Sequence, residues 1–190
     1  MLYGKNVWGP KAWHLLHAFS INKLKITDEK KNNYNLFYKS FVYILPCEIC
    51  SSHYYEIINY IDPILEEDIT RKYLIKWVFN IHNLINNLLD KPIYSFSNLK
   101  DKEYSINNKD IIFIIDAVYS NFNYDSMSLF KYDQIYIFFL NFCILYPNLK
   151  IRKILKKLIK SSKFKEIETP IKFKEWYNNT FKKYKSIFVN

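Results

Sequence analysis

Apolar side chains recur at three- and four-residue intervals through most of this 190-residue chain, the spacing that gathers one face of an α-helix. That periodicity predicts an all-α fold. Turn chemistry agrees, because with only 2 glycines among the 190 residues the chain has few places to reverse tightly. No stretch alternates strongly enough to read as a strand, and no internal repeat recurs at a fixed period.

The spacing predicts a first helix over Pro10–Ile21, with proline in the first turn, where its missing N–H does no harm. A second spans Asp28–Leu45, capped near Thr27 or Asp28, with Tyr34, Phe37, Tyr38, Phe41 and Leu45 on one face. Pro46 ends it, and Cys47 then falls in the first turn of a third helix that reaches about Tyr60. A fourth runs from Asp68 to Leu89 and is closed by Asp90, Lys91 and Pro92. These four make a four-helix bundle of roughly 90 residues. A polar connector, SFSNLKDKEYSINNKD, follows. Further helices are expected over Asn108–Ser120, Asp125–Tyr146 and Asn148–Lys160, and a last one, capped by Thr169, through Trp176 to Phe188. The natural division is into 1–104, which holds nearly all the chemically distinctive residues, and 105–190, an additional helical module.

Net charge separates the same two parts. Residues 1–104 carry 13 Lys and Arg against 11 Asp and Glu, and 105–190 carry 15 against 7. The basic excess is concentrated between Lys150 and Lys185, where a basic amphipathic tail could meet nucleic acid, acidic protein or anionic lipid. The plainer reading is lysine used as an ordinary solvated residue in a chain rich in Lys, Asn, Ile and Tyr. No signal peptide is visible at the N-terminus. The longest apolar run, Ile135 to Tyr146, is broken by Asn141 and falls short of the roughly 20 residues a membrane span needs.

Cysteine is scarce, at 3 residues, yet two of them sit in LPCEICSSHYY. A chain of this length buries enough apolar surface to fold without disulfide staples. Three uses of Cys47 and Cys50 compete. Two thiolates at this spacing could bind zinc, with His14 and His17 on the first helix completing the tetrahedron. They could be small apolar residues packed in a helix. Or they could be a redox pair, since cysteines i and i+3 at a helix start can reach each other and the helix N-terminus favours the thiolate of Cys47. A redox pair needs an electron sink, and two other stretches offer material for one. WGPKAWHLLH puts Trp8, Trp13 and His17 around one helix start. WVFNIHNLINNLLDKP puts Trp77, His82, Asn83 and Asn86 on one helix, with Lys91 just past its end. Rings on facing helices could sandwich a flat heterocycle, amides could read its edges, and a lysine could meet a phosphate.

These three elements, in this order, resemble the Erv/ALR family of FAD-linked sulfhydryl oxidases, and they cover residues 8–92. The resemblance implies a four-helix bundle holding FAD with the disulfide beside its isoalloxazine ring. Cys47 then looks like the cysteine that substrate thiolates attack, and Cys50 like the one that contacts the flavin. Trp13, His17, His53, His82, Asn83, Asn86 and Lys91 match positions that contact FAD, with Trp8 and Trp77 flanking the site. It also implies a thiol-containing protein substrate, O2 as acceptor and hydrogen peroxide as product. The sequence looks most like the compact members encoded by large DNA viruses, which implies the host cytoplasm, a viral factory or the virion.

Two departures from the family pattern stand out. Where many members carry a basic residue three before the helix-1 tryptophan, this chain has Pro10, so Lys11 or another cation is expected at the phosphates. No second CxxC is present to relay electrons, which leaves direct attack on Cys47 or a separate thioredoxin-like relay protein. Cys143 reads as a buried thiol on an apolar helix face, and the second half as a surface for a homodimer or a docking substrate. The rival reading is a zinc-stabilised helical adaptor that binds nucleic acid through the basic half.

Overall fold

The first helix begins earlier than its proline suggests. In the computed structural model α1 spans Lys5–Ile21 with Pro10 inside it. Its opening turn is closed by the N–H groups of Val7 and Trp8, which both donate to the Gly4 carbonyl, so the missing Pro10 N–H removes only one rung of an established ladder. The structure describes residues 4–97, 104–106, 108, 109, 111–113, 116, 128–160, 167 and 169–189.

The second helix, α2 (Asp28–Ser40), is shorter than expected and tightens into a 3-10 turn over Phe41–Ile44. Pro46 gives the reason. Continuing the α-helix would require its N–H on the Val42 carbonyl, and proline has none. The Ser51 hydroxyl donates to that carbonyl instead, at 2.6 Å, and this bond ties the next helix to the turn. Helix α3 is Glu48–Glu56 and passes directly into a wide π turn, Ile57–Ile61, closed by the Asp62 N–H on the Ile57 carbonyl at 2.8 Å. Cys47 is therefore the N-cap of α3, not a residue of its first turn. Helix α4 covers Arg71–Leu88; it starts after Thr70, whose side chain accepts the Tyr73 N–H, three residues later than the sequence alone suggested. It stops where Asp90 takes a φ of 52°.

In the second half, α5 is Leu129–Leu145, α6 Leu149–Lys160 and α7 Pro170–Val189. Thr169 caps α7 as expected, accepting the Lys172 N–H at 3.3 Å. Of the helix expected over Asn108–Ser120, residues 108, 109, 111–113 and 116 are helical; its remainder, and the start of the next at 125–127, lie outside the described residues. Every described regular element is helical.

Packing joins the halves through one aromatic core. Helix α1 lies against α4, and α2 lies against α5. Phe37 stacks on Phe19 at 4.6 Å and on Phe138 at 5.1 Å, and Phe142 reaches Phe19 at 5.4 Å. Asn141, the residue that breaks the apolar run, is buried and accepts a hydrogen bond from the Asn33 amide at 2.9 Å, which satisfies it inside the core. Cys143 is buried on α5 and takes part in no disulfide. Among the described residues, no helix is long and apolar enough to cross a membrane.

The C-terminal end of α1 is locked by an arginine that no local pattern announces. The Arg71 guanidinium donates to the carbonyls of Phe19, Ser20 and Leu24, to Asn22 Oδ1 and to the Tyr34 hydroxyl, at 2.7 to 3.2 Å. The Phe19 and Ser20 carbonyls are among those a helix end leaves without intrahelical partners, the Leu24 carbonyl belongs to the loop that follows, and a cation there also meets the negative end of the dipole. Arg71 thus fixes how α4 sits on α1.

Candidate active site

Helices α1, α3 and α4, with the segments that lead into Cys47 and follow α4, line a cavity of about 700 Å³, within the range of small-molecule and cofactor sites. Its walls are built from local helical spacing. On α1, Trp13 and His17 stand one turn apart with ring centroids 6.4 Å from each other. On α4, His82, Asn83 and Asn86 face the same space. The two helices meet where His17 Nε2 and His82 Nδ1 come within 3.0 Å and where the Trp13 ring stacks on His82 at 4.0 Å, 8° from parallel.

That stack corrects one expectation. Rings at 4.0 Å are in direct contact, whereas a planar ligand between them would need about 7 Å, two contacts of about 3.5 Å. Trp13 and His82 form one flat wall against which a heterocycle can lie, and they do not clasp it from both sides.

The disulfide belongs to the same cavity. Cys47 and Cys50 are bonded, with Cα atoms 5.2 Å apart, and both line the space together with His53, one turn further along α3. Cys47 Sγ accepts the Cys50 N–H at 3.3 Å, so its sulfur sits where the helix N-terminus favours negative charge. Cys47 and Cys50 are partly exposed, which a sulfur open to exchange requires.

Asn83 and Asn86, which line the cavity, also hold the loop that follows α4. The Asn83 side chain donates to the Tyr94 carbonyl and accepts the Tyr94 N–H, both at 3.0 Å. The Asn86 amide donates to the Pro92 carbonyl at 3.3 Å. Together they pin the loop after α4 along the cavity, and with it Lys91, which lines the rim. Lys11, the substitute cation weighed for the phosphates, has its Nζ over the Phe113 ring at 5.0 Å and does not line the cavity.

Trp8 lines the cavity, but Trp77 does not. The Trp77 indole is buried, donates to the Asp62 carbonyl at 2.9 Å and meets Tyr38 edge-on at 5.1 Å. It belongs to the core behind the site. The sequence held the signal for this: five residues at about 100° each put Trp77 about 140° around the helix from His82.

Sequence reasoning missed the phenols. Tyr104 lies 4.7 Å from the His17 ring and 5.6 Å from His14, and Tyr94 lies 5.9 Å from His82. Burial, reinforced by Tyr94, pushes the Tyr104 hydroxyl above its ordinary pKa. Tyr104 comes from the polar connector and Tyr94 from the residue just before it, where no periodicity marks a side chain as inward.

The residues present fit a flavin. The Trp13–His82 wall offers a planar surface, the Cys47–Cys50 disulfide lies in the lining of the same cavity, and Lys91 supplies a cation there. Zinc finds no comparable support: among the described residues no group of three or more His, Cys, Asp and Glu side chains could hold a metal.

Comparison with known proteins points the same way. The Erv1/Alr family model matches residues 10–105. An Acanthamoeba polyphaga mimivirus protein named as a probable FAD-linked sulfhydryl oxidase is 32% identical over 91 residues, 47% of this chain and 63% of that one. The FAD-linked sulfhydryl oxidase of African swine fever virus is 33% identical over 96 residues, 50% of this chain and 77% of the viral one. The mitochondrial FAD-linked sulfhydryl oxidase of Saccharomyces cerevisiae is 31% identical over 85 residues, 44% and 43% of the two chains. No solved structure matches.

Proposed function

Because this chain belongs to the Erv1/Alr family, we propose that it is an FAD-linked sulfhydryl oxidase that makes disulfides in thiol-containing polypeptides. The observation that carries the reading is the Cys47–Cys50 disulfide in the wall of the cavity that Trp13, His17 and His82 line. A substrate thiolate attacks Cys47 Sγ; a substrate–Cys47 bond forms, the Cys47–Cys50 bond breaks, and the electron pair leaves on Cys50. A second substrate thiolate then attacks its own half of the mixed disulfide and expels Cys47 as a thiolate. The Cys50 N–H on Cys47 Sγ stabilises that leaving group. The substrate has lost two electrons and two protons, and the cysteine pair holds the electrons. FAD, when bound, supplies the two-electron sink that restores the disulfide and passes the electrons to O2 as hydrogen peroxide.

The chain's own residues hold that sink in place. Trp13 and His82 give it a flat surface, Trp8 a further ring in the lining, and His53 a side chain on the disulfide's helix. Lys91 at the rim is the cation best set for the phosphates. In this reading 1–104 is the oxidase unit and 105–190 a helical module packed on it. The three cysteines of these 190 residues leave no second pair, so electrons arrive directly at Cys47 or from a thioredoxin-like relay. A homodimer acting in a host cytoplasm, a viral factory or a virion completes the reading; the viral relatives support its setting.

The test is the visible spectrum and oxygen uptake of the purified chain. A yellow protein with one flavin per chain, consuming O2 and releasing peroxide with dithiothreitol, is expected. A colourless protein carrying stoichiometric zinc would overturn the reading.

A further inference from the structure

The disulfide adjoins a group of exposed apolar side chains drawn from two distant parts of the chain. Ile49, between the two cysteines, is 70% exposed. Helix α5 packs against the 3-10 turn that leads into the disulfide. The Phe130 ring meets the Tyr43 ring edge-on at 5.6 Å, and Tyr43 lies on the 3-10 turn that leads into Cys47. Leu129 and Phe130 are 56% and 58% exposed. Burial lowers the pKa of the Lys131 ammonium while the Glu48 carboxylate opposes that shift. Single exposed apolar side chains are ordinary on a protein surface, but here one lies between the two cysteines and another packs on the turn that leads into them. Residues 129 and 130 lie outside the 10–105 stretch that the family model matches, so this feature belongs to the second half of this chain.

We propose that Leu129 and Phe130, with Ile49, form a docking shelf for the polypeptide that brings its thiol to Cys47, favouring cysteines flanked by apolar residues. This rests on the thiol-oxidase reading. Disulfide exchange itself identifies the occupant. A mixed disulfide holds the two Cα atoms about 4.4–6.8 Å apart, so the substrate backbone must run past Cys47 and over its neighbours. Two further residues of extended chain span at most about 7 Å, which brings the side chains flanking the substrate cysteine over Ile49 and, on the side of the turn that Phe130 covers, toward the start of α5. Apolar flanking residues are exposed in unfolded or extended segments, the state in which a polypeptide still needs its disulfides made.

The experiment compares two reduced dithiol peptides, one with leucine and phenylalanine beside its cysteines and one with serine in those places, alongside dithiothreitol. For the wild-type holoenzyme the apolar peptide is expected to have a KM about tenfold lower, the worth of about one buried side chain. Phe130→Ser is expected to raise that KM about tenfold and to leave the serine peptide, dithiothreitol turnover and the flavin spectrum unchanged. Leu129→Ser does the same more weakly, and both sites are exposed enough to tolerate serine. Equal KM values for the two peptides in the wild type overturn the shelf. So does a Phe130→Ser variant that slows dithiothreitol in parallel, or one that splits a dimer without moving either KM. A wild type that oxidises peptides and dithiothreitol alike at no measurable rate overturns the oxidase reading, and the shelf with it.

Discussion

His17 Nε2 and His82 Nδ1 lie 3.0 Å apart, a hydrogen bond that joins α1 to α4 across 65 positions of sequence at the wall of the cavity. One imidazole donates and the other accepts, so each fixes the tautomer and ring orientation of its partner. His82 in turn carries the stacked Trp13. His82→Ala removes the bond and the stack together, a loss of about 2 kcal/mol. We expect FAD affinity to fall about thirtyfold with helicity retained, measured by flavin fluorescence titration beside far-UV circular dichroism. Unchanged affinity would remove His82 from the site.

The cysteine roles separate cofactor binding from turnover. Cys47→Ser and Cys50→Ser should both keep FAD, because neither sulfur is needed to hold the Trp13–His82 wall, and both should abolish dithiol oxidation. In Cys50→Ser the Cys47 thiolate should attack a single-cysteine peptide supplied as its mixed disulfide with thionitrobenzoate, expelling thionitrobenzoate, and the Cys47–peptide bond should persist because neither Cys50 nor a second peptide thiol is present to break it. Mass spectrometry of the trapped adduct reads this directly, and an adduct on Cys50 in Cys47→Ser with none in the reverse variant would invert the assignment.

Arg71 is expected to matter for stability and not for chemistry. Arg71→Met leaves the Ser20 and Leu24 carbonyls without their donor and the Phe19 carbonyl with the Asn22 amide alone, at a cost of about 3 kcal/mol. Urea denaturation should show a lower midpoint, while turnover per folded molecule stays near the wild-type value. A variant as stable as wild type would mean that water replaces the guanidinium.

Alkaline pH should unfold the protein through its buried phenols. Burial raises the pKa of Tyr38 and Tyr54 well above the ordinary phenol value, and that of Tyr146 to about 12. Below about pH 10 folded and unfolded chains both keep these protons. Above it the unfolded chain releases them and the native one does not, so stability falls as pH rises, by about 1.4 kcal/mol per pH unit for a fully buried phenol such as Tyr54. For Tyr146 the loss levels off near pH 12. Denaturant midpoints between pH 9 and 12 should show this decline, and Tyr54→Phe should make it shallower. A slope unchanged by that substitution would contradict the account.

How much of the site was legible follows from the range of the signal each residue gives. Helical spacing is local, so the sequence alone put Trp13 with His17 and His82 with Asn86 on shared faces, and set Cys47 and Cys50 within reach of each other at a helix start. The same reasoning, carried one step further around α4, would have removed Trp77. The asparagines were located correctly but their partners were not, because the Tyr94 and Pro92 main chain they hold has no regular structure and thus no period to read.

The sequence by itself determined an all-helical chain, its redox pair and the three segments that carry the family's pattern, because backbone periodicity and short motifs depend on neighbours a few residues away. Tertiary structure alone decided that Trp13 and His82 form one wall, that Tyr104 closes on His17, and that Arg71 binds the end of α1. It also decided that α5, from beyond the family match, sets Phe130 against Tyr43 beside the disulfide. These are contacts between residues tens of positions apart, chosen by which faces bury best against each other, and no local pattern encodes that choice.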